Sequence, residues 1–179
     1  FYYDILKRIA DLCISLLAIV ALIPLYLGVA LSIKFDSPGP VFFRQKRIGL
    51  HGQEFTIYKL RTMHMDTPTY MWTPGSADDP RITRIGRFLR RTSLDELPQL
   101  LNVVKGNMSL VGPRPEMPFI VETYTDYQRQ RLTVMPGITG LWQISGDREL
   151  QIHENLEYDF YYIANRSLSL DLAILFQTA

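Results

Sequence analysis

The feature that most restricts what this chain can fold into is the run from Leu12 to Ile33, 22 residues without a formal charge. At a helical rise of about 1.5 Å per residue such a run reaches roughly the thickness of a bilayer's hydrocarbon core. Part of the chain is therefore expected in lipid. It does not read as a signal peptide, because the apolar stretch is too long and no small-residue cleavage pattern follows it. Pro24 falls near the middle, where it removes a backbone hydrogen bond and crowds the carbonyl four residues back, so the helix should break there. Lys7 and Arg8 precede the run and Lys34 follows it, so flanking charge selects no orientation. A helix–break–helix hairpin that returns to the face it entered accounts for both facts, while a kinked span accounts for the first only. The residues alone leave both open.

The remaining charge is polarised. Residues 1–91 carry 13 Lys/Arg against 7 Asp/Glu, and residues 92–179 carry 6 against 11. The basic half is the half nearest the apolar run, which suits anionic headgroups and anionic ligands. Cys13 is the only cysteine, so no intrachain disulfide exists, and His51, His64 and His153 lack the spacing of a zinc site.

Beyond the apolar run, Asp36-Ser37-Pro38-Gly39-Pro40 reads as a turn cluster that stops the helix. Val41–Phe43 and Glu54–Tyr58 read as two strands joined by a turn at Gly49–Gly52. Residues 64–80 have no period and read as a loop. Helical patterns follow at about 81–91, 94–105, 116–133, 151–164 and 169–178. With no repeat and no linker, the fold class is α+β, mostly helical: an N-terminal membrane segment, a small β-hairpin, and amphipathic interfacial helices around one compact core. The absence of an initiating Met, and an end soon after a helix, read as trimmed termini.

Four segments carry candidate chemistry. Arginine recurs at 81, 84, 87 and 90, with Arg91 beside the last. On a helix this forms a basic stripe opposite Ile82, Ile85, Phe88 and Leu89, suited to phosphate oxygens or to a solvated face. In Thr92-Ser93-Leu94-Asp95-Glu96-Leu97-Pro98-Gln99, Ser93 and Glu96 have capping-box spacing, which alone explains the pattern. A carboxylate in a first helical turn is also placed to attack phosphorus, and an adjacent Glu96 to offer oxygens to Mg²⁺. Arg114 stands between Pro113 and Pro115, a stiff backbone from which to hold a phosphoryl group, or an exposed turn. Met135–Gly146 combines a glycine-rich turn with Trp142, a candidate floor for a nucleotide pocket with Arg148 nearby.

Together these segments resemble the bacterial sugar transferase family, monotopic phosphoglycosyl transferases acting on polyprenyl phosphate. The resemblance covers nearly the whole chain, from Leu6-Lys7-Arg8-Ile9-Ala10-Asp11 to Ser169–Thr178. It runs in family order through Asp36-Ser37-Pro38-Gly39-Pro40-Val41-Phe42-Phe43-Arg44-Gln45, Tyr58-Lys59-Leu60-Arg61, Arg81-Ile82-Thr83, Ser93–Gln99, Gly112-Pro113-Arg114-Pro115 and Pro136-Gly137-Ile138-Thr139-Gly140. It implies a ping-pong reaction in which Asp95 matches the nucleophile that attacks the β-phosphate of a UDP-sugar, releasing UMP. The phosphosugar then passes from Asp95 to polyprenyl (undecaprenyl) phosphate. Glu96 completes the acidic pair, with Asp95 and Glu96 as the Mg²⁺ ligands, and Arg90 and Arg114 match arginines around the phosphates.

The resemblance also implies a re-entrant N-terminal helix. Residues 1–35 are then a membrane anchor, and residues 36–179 a single catalytic region on the cytoplasmic face of the bacterial inner membrane. UDP-sugar, polyprenyl phosphate and membrane lipids are the partners, without nucleic acid; the sugar and any homo-oligomer are left open. Two departures stand out. Ile23 precedes Pro24 where the family commonly has a small residue, so proline alone must make the break unless Tyr26 or Ser32 helps to cap it. Asp147 stands where the family usually has arginine, with Arg148 one position later, so either Arg148 does that work or nucleotide contact differs there. Competing readings are a non-catalytic membrane adaptor of the same fold and a glycosyltransferase that releases UDP. The latter often carries a metal-binding Asp-x-Asp, whereas this chain has only the adjacent pair Asp78-Asp79.

Overall fold

A computed structural model describes residues 2–70, 76, 78–146 and 155–178. The apolar run forms two helices, α1 (Tyr2–Ala21) and α2 (Ile23–Asp36), bent by 60° at Leu22. Leu22 leaves helical geometry (φ −89°, ψ 2°), and Pro24 falls in the first turn of α2, where a missing N–H forfeits no intrahelical bond. Neither candidate helper caps the break. The Ser32 hydroxyl donates to the Gly28 carbonyl within α2, and the Tyr26 hydroxyl is buried without a partner among the described residues. No single described helix is long and apolar enough to cross a membrane; only the bent pair together passes that test. Leu16, Leu17, Val20, Leu27 and Leu31 all point outward from it.

The base of the pair is held firmly to the body. Lys7 Nζ lies 2.9 Å from Asp171 Oδ2, and the Ser109 hydroxyl donates to the buried Asp11 carboxylate at 2.7 Å. Arg8 donates to the Val103 carbonyl at 2.7 Å. At the far end, Ile33 packs with Leu60 and Leu89, and Arg61 donates to the carbonyls of Ser37 and Pro38, fastening the expected turn cluster.

Strands β1 (Phe42–Ile48) and β2 (Glu54–Leu60) form the expected antiparallel hairpin; β1 runs on toward the turn as far as Ile48 instead of stopping at Phe43, and β2 extends two residues past Tyr58. Helix α3 covers Arg84–Arg91, because the Thr83 hydroxyl accepts from the Gly86 amide and caps it there. The pattern at 94–105 divides into a 3-10 turn, Leu94–Gln99, and α4 (Leu100–Val104). Pro98 has no amide to donate, so a regular α-helix starts only beyond it. Asn102, fully buried, accepts from the Tyr58 amide and donates to the Thr56 carbonyl, locking α4 onto β2.

Two three-residue strands, β3 (Ser109–Val111) and β4 (Gly137–Thr139), pair in parallel; the sequence reading missed both. The pattern at 116–133 is likewise no single helix. It breaks into α5 (Pro118–Val121), α6 (Asp126–Arg129) and a 3-10 turn at Gln130–Thr133, because Thr125 and Gln128 form a capping box that starts a new helix. Then come α7 (Leu141–Ile144), α8 (Glu157–Asn165) and α9 (Leu168–Thr178); the first residues of the expected 151–164 helix lie outside those described. Phe55, Ile57, Leu100, Val103, Met108, Val111, Tyr162 and Ile174 form the main core. It lies between the hairpin, α4 and α9.

Candidate active site

Asp95 and Glu96 open the 3-10 turn just after Ser93, whose φ of 55° is left-handed and turns the chain sharply out of α3. That conformation rules out the capping box allowed by the sequence: the Ser93 side chain caps nothing. The six-residue turn is also no helix end with a sizeable dipole, so charge at this site comes from side chains.

Those side chains arrive from three directions. Lys59, on β2, places Nζ 2.6 Å from Glu96 Oε1. Arg114, on the proline-bracketed loop after β3, forks onto Glu96, with Nη2 2.6 Å from Oε1 and Nη1 3.2 Å from Oε2. Arg90, in the last turn of α3, is half-buried and close enough for its charge to act on Asp95. Asp95 itself is 7% exposed. Among the described residues no side chain donates a hydrogen bond to it.

The two neighbours therefore titrate in opposite senses. Burial raises the Asp95 carboxyl above its usual range, and the cations Lys59, Arg90 and Arg114 offset that only in part. Burial would raise Glu96 too, but Arg114 and Lys59 outweigh it and hold Glu96 well below the usual range. Burial lowers the Lys59 ammonium, while Glu96 raises the Arg114 guanidinium. Glu96 is thus a permanent anion clamped between two cations, and Asp95 an uncommitted carboxylate in the same field.

Lys59 is a candidate site residue that sequence reasoning passed over, although it lies within a quoted motif. The signal was available. Strand alternation puts residue 59 on the same face as Phe55 and Ile57, both buried, and an inward lysine requires an anionic partner.

The arginine stripe does not act as a unit. Because α3 begins at Arg84, Arg81 lies before it and chelates Asp79 through Nε at 2.9 Å and Nη2 at 2.7 Å. These bonds from Arg81 hold the Asp79 carboxyl down to about 2, and Asp78-Asp79 offers no paired metal ligand. Arg84, Arg87 and Arg91 face outward, and only Arg90 turns to the site. The glycine-rich segment braces the arginine loop: the Gly137 amide donates to the Pro113 carbonyl and the Gly112 amide to the Thr139 carbonyl, both at 2.9 Å. A β-carbon on Gly137 would lie 2.1 Å from the Gly112 nitrogen, so this approach needs glycine. Trp142, on α7, has a buried indole N–H without a partner among the described residues. Asp147 and Arg148 lie outside the described residues.

Among the described residues, no three His, Cys, Asp or Glu side chains gather as a protein-only metal cage would need. Mg²⁺ often uses one or two carboxylates and takes its other ligands from substrate phosphates and water. Asp95 fits that role; both oxygens of Glu96 are held by Lys59 and Arg114 in this arrangement.

The family model described as bacterial sugar transferase matches residues 2–179. The chain is similar to a UDP-glucose:undecaprenyl-phosphate glucose-1-phosphate transferase of Xanthomonas campestris pv. campestris, at 44% identity over 99% of this chain and 39% of that protein. It is also similar to the exopolysaccharide production protein ExoY of Sinorhizobium fredii, at 41% identity over 96% of this chain and 83% of that protein. The uncharacterized sugar transferase EpsL of Bacillus subtilis is 45% identical over 96% of this chain and 84% of its own length. The chain thus spans about two fifths of the Xanthomonas protein and over four fifths of the other two.

Proposed function

This chain belongs to the bacterial sugar transferase family, and we propose that it moves a sugar 1-phosphate from a UDP-sugar to polyprenyl phosphate, such as undecaprenyl phosphate, releasing UMP. The product would begin a surface polysaccharide or glycoconjugate. One observation carries the reading: a nearly buried carboxylate, Asp95, sits without a side-chain donor among the described residues, in the combined field of Lys59, Arg90 and Arg114. A buried anion held that way is costly unless a ligand uses it.

In the proposed reaction an Asp95 oxygen attacks the β-phosphorus of the UDP-sugar. The bond from that phosphorus to the bridging oxygen breaks, and the electron pair leaves with UMP. The phosphosugar is then joined to Asp95 as an acyl phosphate. An oxygen of polyprenyl phosphate attacks the same phosphorus, the bond to Asp95 breaks, and the carboxylate is restored. Arg90 and Arg114 neutralise phosphoryl oxygens as charge shifts between them. Glu96 keeps Lys59 and Arg114 charged and in place. Mg²⁺, held by Asp95 and diphosphate oxygens, would supply Lewis-acid polarisation. Arg148 is assigned to the nucleotide, with Asp147 beside it.

The bent apolar pair supports a re-entrant anchor over residues 1–35, with residues 36–179 as the catalytic region on the cytoplasmic face of the inner membrane. The apolar part of each half-helix is too short to cross alone, and basic residues at both ends oppose translocation. The test is a panel of UDP-sugars with undecaprenyl phosphate. UMP should appear, and without acceptor one equivalent of UMP should be released while the phosphosugar mass remains on the peptide containing Asp95. Release of UDP, or no adduct, overturns the mechanism.

A further inference from the structure

Two largely enclosed guanidinium groups outside the proposed chemistry bind the consecutive carbonyls of Arg114 and Pro115. Arg131, 2% exposed, donates from Nη2 to the Arg114 carbonyl at 2.8 Å. Its other donors are committed, Nε to Asp159 of α8 at 2.9 Å and Nη1 to the Tyr124 hydroxyl at 2.6 Å. Arg47, on β1, donates from Nη1 to the next carbonyl, that of Pro115, at 3.1 Å, and from Nη2 to Gln45 Oε1 at 2.7 Å. With the Gly137 amide on the Pro113 carbonyl, three consecutive carbonyls are each bound by a different element.

This arrangement does more than prolines alone provide. Pro113 and Pro115 fix their own φ and narrow the residue before each, yet the peptide planes between them still rotate about ψ. A donor on each carbonyl removes that freedom, leaving the Arg114 Cα–Cβ direction nearly fixed. The arrangement also has a cost. Burial, with the Arg114 charge beside it, pushes the Arg47 guanidinium down to about 10, an effect that Glu116, 3.8 Å from Nη1, offsets only in part. A neutral donor would satisfy a carbonyl without bringing another positive charge toward Arg114.

We propose that Arg47 and Arg131 are positioning residues that aim the Arg114 guanidinium at the transferring phosphoryl group. The proposal rests on the phosphate role given to Arg114 above. Aim matters because misplacing a catalytic group by about 1 Å can cost about a hundredfold in rate.

The test is a double-mutant cycle on the full chain in detergent or nanodiscs, with kcat and KM measured for phosphosugar transfer. Arg47→Gln should lower kcat about tenfold or more with little change in KM for UDP-sugar, and Arg47→Lys should recover part of the loss. In an Arg114→Ala background, Arg47→Gln should cost less than about twofold further, because nothing remains to be aimed. Arg131→Lys should behave in the same way and serves as a second arm if Arg47→Gln does not fold. Losses that multiply in the Arg114→Ala background would show that the pair only supports the fold, and would overturn the positioning role alone. Activity near wild type in Arg114→Ala would overturn both that role and the phosphate role of Arg114.

Discussion

Replacing the two adjacent carboxylates by their amides should move stability in opposite directions. Asp95 is nearly buried without a side-chain donor among the described residues, and its carboxyl is raised above the ordinary 3.8. A group with a raised folded value contributes stability below its unfolded value and loses it as pH rises through the folded one. At pH 7 the Asp95 charge is therefore a cost to the fold, and Asp95→Asn should hold or slightly raise Tm while abolishing turnover. Glu96 is the reverse. Its folded value lies below the ordinary 4.5, so its contribution is present above that value and fades only as pH falls through the lower one. Glu96→Gln removes the anion to which both Lys59 and Arg114 are bonded. Removing one member of a buried pair costs about 3–5 kcal/mol, and the 17% exposure of Glu96 argues for the lower end. At about 2–4 °C per kcal/mol for a chain of this size, Tm should drop by about 6–12 °C. Thermal unfolding in detergent at pH 7 and at pH 5 should give the same ordering. Equal losses in the two variants, or a larger loss for Asp95→Asn, would refute the assignment of one free and one clamped carboxylate.

Lys59→Met should lower kcat strongly, with Arg114 left as the sole cation bonded to Glu96 among the described residues, measured as UMP release under saturating UDP-sugar. The acid limb of the kcat/KM profile should lie above the ordinary carboxylate range, because Asp95 must be ionised to attack; a limb at or below that range would contradict its burial. Arg148→Ala should weaken UDP-sugar use more than Asp147→Ala, and the reverse order would give Asp147 its own role. Single cysteines at Tyr3 and Thr69, in a Cys13→Ser background, should both resist an impermeant thiol reagent in intact cells, whereas labelling at Tyr3 alone would show a spanning helix. Pro24→Ala should favour that spanning form by restoring a continuous helix.

What the sequence made legible divides along physical lines. The broken apolar helix and the hairpin were readable because a central proline and a two-residue alternation are local signals. The parallel pair β3 and β4 was not, since three residues per strand show no period and their pairing joins segments far apart. The single helix expected at 116–133 failed because its apolar pattern is insensitive to the Thr125 capping box that restarts it. Asp95, Glu96, Arg90 and Arg114 were singled out mainly by the family resemblance, since spacing alone left a capping box and a solvated arginine face open. Their division of labour was not readable, because it depends on Lys59 crossing from β2 to claim Glu96. The left-handed Ser93 was equally hidden, since the motif Ser-x-x-Glu permits a cap that the tertiary turn refuses.

The contact between Lys7 and Asp171 joins residues 164 positions apart, and that separation has a consequence in time. A ribosome adding about 5–20 residues per second needs on the order of ten seconds or more to travel from one to the other. Throughout that interval α1 is available to the bilayer while its basal lysine lacks its closest partner. If the bent pair enters the bilayer as proposed, its depth and direction are set before the body can clasp it. On that reading the clasp acts afterwards as a latch on a topology already chosen, so a variant lacking it should insert normally and fail later, by coming loose from residues 36–179.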